Sequence, residues 1–227
     1  MNNQKAIEER FSLSKNSVER LSDFVQLVKT APINLTAWSE AMLWERGVFD
    51  SLAIFPKVKG SGRGLDVGSG AGFPGMVLAI TNPEASWVLL DSRARRGEFL
   101  RGVVERLGLE RVNIVVDRAE NWIRANPQNR AAFDWVTFRA VGPTRVSLEL
   151  GLPYVALGGR LFVFKGANSS EEIVSSAGFI EELGGRFREW MDGAIRNTAG
   201  EFDQIAIVEK LLPSPHKFPR NAKLLGS

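Results

Sequence analysis

The sequence predicts an α/β fold, a Rossmann-like and mostly parallel sheet with helices on both faces, behind an N-terminal helical segment. Three observations predict it. Apolar residues recur at helical spacing through about the first 58 residues. Short apolar strands alternate with amphipathic helices from residue 64 onward. A glycine-rich turn joins the first of those strands to its helix. Alternation of this kind builds a parallel sheet covered on both sides.

In the N-terminal segment, Val18, Leu21, Phe24, Val25 and Val28 repeat at three- and four-residue intervals, the period of one helix face. Pro32 breaks the run, Thr36 is placed to cap the next helix, and Met42, Leu43, Val48 and Leu52 resume the helical period. The glycine-rich "KGSGRG" separates this regime from the next. "GLDV" reads as the first strand, and "PGMVLAIT" as a helix with Pro74 in its first turn. "SWVLLD" reads as the second strand. The helix "RARRGEFLRGVVERLG" comes after it, with Phe99, Leu100, Val103, Val104 and Leu107 on one face and Gly108 closing it. "VNIVVD" and "FDWVTF" supply strands three and four. A helix is expected over "PTRVSLELGLPYVA", a fifth strand over "GGRLFVFKG" and another helix over "SSEEIVSSAGFIEELGG". "RFREWM" and "EFDQIAIVEKL" come in succession, which predicts an antiparallel edge. The expected division is a helical extension over 1–60, the α/β domain over 61–212 and a basic, Pro-rich, extended tail over 213–227.

Composition narrows the chemistry. The chain has 227 residues, 44% hydrophobic, enough for a substantial core. No apolar run approaches the ~20 residues of a membrane span. The charged start "MNNQKAIEERF" has no signal-peptide character, so a cytoplasmic protein is expected. Cysteine is absent and the single histidine, His216, lies in the tail. Thiolate sites, cysteine nucleophiles, His-cluster metal sites and Ser-His-Asp catalysis are therefore set aside, and no metal is expected. Net charge is +3, which permits a nucleic-acid partner without demanding one. Arg93, Arg95, Arg96, Arg101 and Arg106 gather on one predicted helix. They read either as a solvated face or as a phosphate-binding one.

The glycine turn is the most informative stretch. A dinucleotide fingerprint needs G-x-G-x-x-G, and here Phe73 stands at the third position. The spacing is D-x-G-x-G-x-G, on Asp66, Gly68, Gly70 and Gly72. An acid in the first strand is wrong for a pyrophosphate but suits a cation. S-adenosylmethionine carries a sulfonium and an ammonium, and Asp66 is expected to meet the ammonium directly or through water. Asp91 closes strand two about 20 residues further on, where a carboxylate accepts ribose hydroxyls. The alternative for Asp91 is a helix cap, with Ser92 competing for the same role. After strand three, Ala119 and Glu120 stand where an adenine would lie, or simply start a helix.

The acceptor is approached through what is missing. Methylation at pyrimidine C5 normally needs a cysteine. Exocyclic amines commonly use [DN]-P-P-[FYW] after strand four, where this chain has "TFRAVGP". Guanine N7 has an exposed lone pair at neutral pH and needs no base, so alignment and exclusion of water suffice.

These residues together resemble the RsmG (GidB) family of bacterial small-subunit rRNA methyltransferases. The resemblance spans almost the whole chain. It is carried by "INLTA" at 33–37, "DSLA" at 50–53, "LDVGSGAGFPGMVLAI" at 65–80, "LLDS" at 89–92, "RAE" at 118–120, "RAV" at 139–141, "FKG" at 164–166 and "KFPR" at 217–220. It implies a class I S-adenosylmethionine-dependent methyltransferase fold and methyl transfer from that donor to N7 of a guanine in 16S rRNA of the small ribosomal subunit; nothing in the sequence requires more than a monomer. It implies Gly68, Phe73, Ala119 and Glu120 at the cofactor. It places Arg139 in the site after strand four and Lys165 on the substrate side. Arg95 and Arg96 match the family's basic helix start and imply rRNA phosphate contacts. Two positions depart from the family pattern. Gly47 stands where a histidine is usual before "DSL", and Phe138 where a serine usually precedes the strand-four arginine. Phe138 reads as a base-stacking ring or as an inward-packing strand residue. Arg46 and Asp50, four apart, read as a surface ion pair or as closing the cofactor pocket. Trp38 and Trp44 read as RNA-stacking or as packing the helical segment onto the sheet. Another RNA, a small-molecule acceptor or a non-catalytic S-adenosylmethionine-binding regulator remain alternatives.

Overall fold

The computed structural model describes residues 3–139, 142–166, 170–196, 200, 202–223 and 225. Ala140 and Val141 of the "RAV" stretch, Ser169 before the sixth expected helix, part of the final hairpin and the last residues of the tail lie outside them. The N-terminal segment is helical, as its periodicity predicts: α1 (Asn3–Phe11), α2 (Lys15–Lys29), α3 (Glu40–Met42), α4 (Asp50–Ala53) and α5 (Phe55–Val58). A π-helical stretch, Leu43–Phe49, joins α3 to α4. Ser14 caps α2 and Ser39 caps α3. Thr36 does not cap a helix; its hydroxyl accepts the Trp38 amide within a turn.

The α/β part runs β1 (Arg63–Val67), α6 (Gly75–Thr81), β2 (Ser86–Asp91), α7 (Ala94–Arg106), β3 (Val112–Val116), α8 (Ala119–Ala125), β4 (Phe133–Arg139), α9 (Thr144–Gly151), β5 (Val155–Lys165), α10 (Ser170–Ser175), α11 (Ala177–Glu182), β6 (Gly185–Arg196) and β7 (Phe202–Lys210). One seven-stranded sheet has the order β3-β2-β1-β4-β5-β7-β6. β1 to β5 pair in parallel, and β7 is antiparallel to both β5 and β6. The expected helix over 143–156 stops at Gly151, and β5 begins at Val155. Pro153 cannot extend a helix. Tyr154 instead stacks with Trp122 and meets Phe133 edge-on, pinning the turn beneath α8.

Two apolar layers cover the sheet. On one face, the N-terminal helices pack with α6 and α7, burying Phe24, Leu52, Met76, Leu100 and Phe162. On the other, α8 to α11 bury Leu65, Phe138, Leu148, Tyr154 and Phe179, and Phe218 of the tail joins them. The tail is therefore packed against the core rather than free. Strand order reverses between β1 and β4, and in open α/β sheets ligands bind at the carboxyl ends beside such a switch point.

Candidate active site

The turn after β1 has the backbone that its glycines predict. Gly68, Gly70 and Gly72 all take positive φ, at 73°, 58° and 104°, a region that side chains disfavour. The amides of Gly68 and Ser69 both reach the Leu90 carbonyl, which ties the turn to the end of β2. Gly75 must be bare for a different reason. A Cβ there would lie 2.5 Å from that of Asp66.

Asp66 does not face the crevice. It is 1% exposed. One oxygen accepts the Thr137 hydroxyl at 2.7 Å, and the other accepts the Gly75 amide at 3.1 Å. The register that pairs Asp66 with Thr137 brings these groups together. Burial pushes its carboxyl up to about 6, opposed by those hydrogen bonds. Asp66 thus holds the turn and the start of α6 through these two hydrogen bonds.

Asp91 is also buried, at the tip of β2. One oxygen accepts the Gly70 amide at 2.9 Å, and the other accepts the Arg93 amide at 2.9 Å. Asp91 thus ties the glycine turn to the residue before α7, whose first turn has no side-chain cap. Arg96 reaches the same carboxylate at 3.4 Å, with its side chain 27% exposed. Arg95 is exposed on α7.

A cavity of about 220 Å³ opens on the β2/β3 side of the turn, lined by Gly68, Ser92, Asp117, Ala119, Glu120 and Leu150 among others. Glu120 is 2% exposed and pairs with Arg118 Nε at 2.5 Å. The Tyr154 hydroxyl donates to the Ala119 carbonyl at 2.6 Å and fixes the start of α8. Phe73 is placed otherwise. Its ring lies in the core, 5.0 Å from Phe24 and 5.9 Å from Trp38, so only its backbone borders the turn.

A second cavity, about 260 Å³, lies on the other side of the switch point, at the ends of β4, β5 and β7. Arg139 and Lys165 both line it, with Trp38, Arg46, Asp50, Phe138, Phe164 and Asp203. Arg139 sits between the Trp38 and Phe164 rings, 5.2 and 5.4 Å from their centroids, and 3.4 Å from Asp50 Oδ2. Burial lowers its guanidinium from the ordinary arginine range, opposed first by Asp50. Its Nη1 is buried with no hydrogen-bond partner among the described residues. A donor left so costs stability until an acceptor arrives. Burial raises the Asp50 carboxyl, opposed by Arg139 and by the amides of Ala194 and Ile195. Lys165 donates to Glu172 of α10 at 3.1 Å, and Glu172 also accepts from Thr144 at the start of α9. Thr144 and Lys165 hold the Glu172 carboxyl below its usual range.

Arg46 and Asp50 do not pair with each other. Arg46 reaches Asp203 at 3.3 Å while Asp50 reaches Arg139. The π-helical turn explains this, since the Asp50 amide bonds back five residues to the Glu45 carbonyl. Side chains four apart then no longer stack. Of the two tryptophans, Trp44 is buried in the core and Trp38 lines the cavity. Phe138 is 1% exposed and packs inward, with only an edge on the cavity. Sequence reasoning missed Asp203, Phe164 and Glu172. The two successive final strands were the available signal for Asp203, because an antiparallel β7 brings its first residues to the carboxyl edge of the parallel strands.

The arrangement fits a cationic donor that spans the turn. A carboxylate-bordered cavity lies on one side, an aromatic and cationic cavity on the other, and bare backbone between them.

Known proteins share this fold and sequence family. The family model GidB, described as rRNA small subunit methyltransferase G, matches residues 17–184. A protein named ribosomal RNA small subunit methyltransferase G from Syntrophomonas wolfei is 41% identical over 171 residues, covering 75% of this chain and 77% of that one. One of the same name from Clostridium beijerinckii is 35% identical over 219 residues, covering 94% and 91%. Among solved structures, cofactor-bound Rv0187 from MTB has a TM-score of 0.58 at 18% identity, covering 87% of this chain and 91% of that one. TYW2 of M. jannaschii in complex with AdoMet has a TM-score of 0.58 at 13% identity, covering 78% and 79%. These two likenesses show a class I methyltransferase fold. By the family match and the extent of identity to its relatives, the chain belongs to the GidB family, the rRNA small subunit methyltransferase G proteins.

Proposed function

We propose that this protein transfers a methyl group from S-adenosylmethionine to N7 of a guanine in the 16S rRNA of the small ribosomal subunit. The observation that carries the reading is the pair of cavities at the carboxyl ends of the strands, one on each side of the β1/β4 switch point. The donor's adenosine end belongs in the cavity of Ser92, Ala119 and Glu120. Its ribose belongs beside Asp91, where it exchanges with Arg96. When bound, S-adenosylmethionine supplies an electrophilic methyl on a sulfonium.

The chain's own residues then position and shield. Trp38 borders the cavity that a base leaving its stack would enter, with Arg139 packed against its ring and that of Phe164. Arg139, fixed by Asp50 and the two rings, sets the depth of that base. As the N7–carbon bond forms, the carbon–sulfur pair returns to sulfur and the base becomes cationic. No proton is released, so no side chain need act as a base. Arg95 and its exposed neighbours on α7 meet phosphates of the rRNA, while Lys165 serves the acceptor side.

The test is incubation with labelled donor and small subunits that lack the modification, followed by mapping of the labelled nucleotide. Label at a guanine N7 in 16S rRNA is expected. Label on another RNA or at another atom, or donor binding with no label anywhere, would reject the reading.

A further inference from the structure

The acceptor cavity holds a carboxylate that the transfer step leaves unused. Asp50 is already engaged on both oxygens, by the Ala194 amide at 2.9 Å and by Arg139. Asp203, near the start of β7, lines the same cavity with its side chain 22% exposed, and among the described residues only its Oδ2 is held, by Arg46. The Arg46 side chain is 36% exposed. An ion pair so open to water is weak and easily shared with a ligand.

The sheet order arranges the chemistry. Along the carboxyl edge, β1, β4, β5 and β7 follow one another, about 4.8 Å apart. The glycine turn leaves β1, Arg139 ends β4, Phe164 and Lys165 end β5, and Asp203 stands near the start of antiparallel β7. Guanine has a matching order along its rim. N7 offers a lone pair, O6 is an acceptor, and N1–H and the N2 amino group are donors. A methyl donor at the β1 turn faces N7. With N7 at that methyl, O6 would point toward the guanidinium at β4, whose buried Nη1 has no hydrogen-bond partner among the described residues. A carboxylate at β7 then faces N1–H and N2–H.

We propose that Asp203 selects guanine, accepting hydrogen bonds from N1–H and the N2 amino group of the target base. The proposal rests on the guanine-N7 reading and adds its specificity residue. Adenine opposes this array at both ends. It turns an amino group toward Arg139 and an N1 lone pair toward Asp203, leaving buried groups unpaired.

The test uses small subunits reconstituted with guanosine or inosine at the methylated position, since inosine lacks only the N2 amino group. Methyl transfer is measured as kcat/KM, and donor affinity by calorimetry. Wild-type protein is expected to prefer guanosine by about ten- to hundredfold, the usual value of the one hydrogen bond to a charged group that inosine cannot make. Asp203→Asn should lose a similar factor on guanosine and bring the preference close to unity, with donor affinity unchanged. Arg46→Gln breaks the ion pair but keeps the carboxylate, so the preference should persist. The proposal is overturned if wild-type protein uses both bases equally, if Asp203→Asn keeps the wild-type preference, or if Arg46→Gln abolishes it as fully as Asp203→Asn. Absence of any N7 label with wild-type protein would instead remove the underlying reading, and the inference with it.

Discussion

Asp91 accepts two backbone amides and a guanidinium at once, so its carboxylate both shapes the glycine turn and borders the donor cavity. Asp91→Ala should weaken S-adenosylmethionine binding by about ten- to hundredfold, the loss of one or two hydrogen bonds to a charged group. Calorimetric titration of the donor checks this, and an unchanged affinity would place the ribose elsewhere. Arg139 acts on the acceptor side instead. Its removal empties the space between Trp38 and Phe164 and frees Asp50. Arg139→Ala should cut single-turnover transfer by about a hundredfold, as expected when a reacting base loses its alignment, while donor affinity stays near wild type. Transfer at the wild-type rate would mean that Arg139 is only structural. The sequence shows Asp66, Asp91 and Arg139 as residues at strand ends, and the resemblance points at Lys165. It does not show which carboxylate turns inward. That depends on cross-strand register, and Thr137 beside Asp66 carries no local signal of its hydrogen bond.

At the scale of elements, helical periodicity and strand alternation disclose most boundaries, and Pro153 accounts for the one helix that ends early. The π-helical stretch over Leu43–Phe49 is not legible, because its apolar residues also satisfy ordinary helical spacing. It matters to the site. It directs Arg46 to β7 and Asp50 to β4, so one short stretch touches both halves of the acceptor cavity. It also brings Gly47 against Phe73. A Cβ on Gly47 would lie 2.7 Å from the Phe73 ring, which Phe24 and Trp38 already flank. Glycine in place of the family's usual histidine is therefore matched by this ring placement. Gly47→Ala should destabilise the fold by about 1–3 kcal/mol, the ordinary cost of overpacking. It should also disturb Trp38, lowering transfer more than donor binding. Urea unfolding together with steady-state kinetics would check both parts, and full stability in the variant would show that the ring has room to move.

Across the whole molecule, the C-terminal segment closes the sheet at the end opposite the site, and buried charges hold it. Lys210 is fully buried, donating to the Leu183 carbonyl at 2.7 Å and contacting Ser214. Burial, aided by Arg130, pulls its ammonium down to about 7 from 10.5. Between those values the unfolded chain binds the extra proton, so stability should rise with pH across that window, by on the order of 4 kcal/mol. Lys210→Met should flatten the rise in denaturant midpoint between pH 7 and 10, and an identical profile in both proteins would exclude the effect. Ten residues further on, Arg220 grips Glu149 of α9, with backbone amide, Nε and Nη2 donating at 2.8, 2.9 and 2.7 Å to a carboxylate of 0% exposure. Arg124 and Arg130 reach the carbonyls of Pro219 and Phe218 beside it. The composition reads as a basic, extended tail, but Arg220 spends its charge on a buried carboxylate, and only that partner on α9 reveals it. Arg220→Ala should cost about 3–5 kcal/mol, because it strands a carboxylate in the core, whereas joint replacement by Glu149→Leu and Arg220→Met should recover most of the loss. Equilibrium urea curves decide this. A lower midpoint with an unchanged slope is expected for the single variant, and a midpoint near wild type for the pair. Equal losses in both would mean that the tail is held by Phe218 and not by the ion pair.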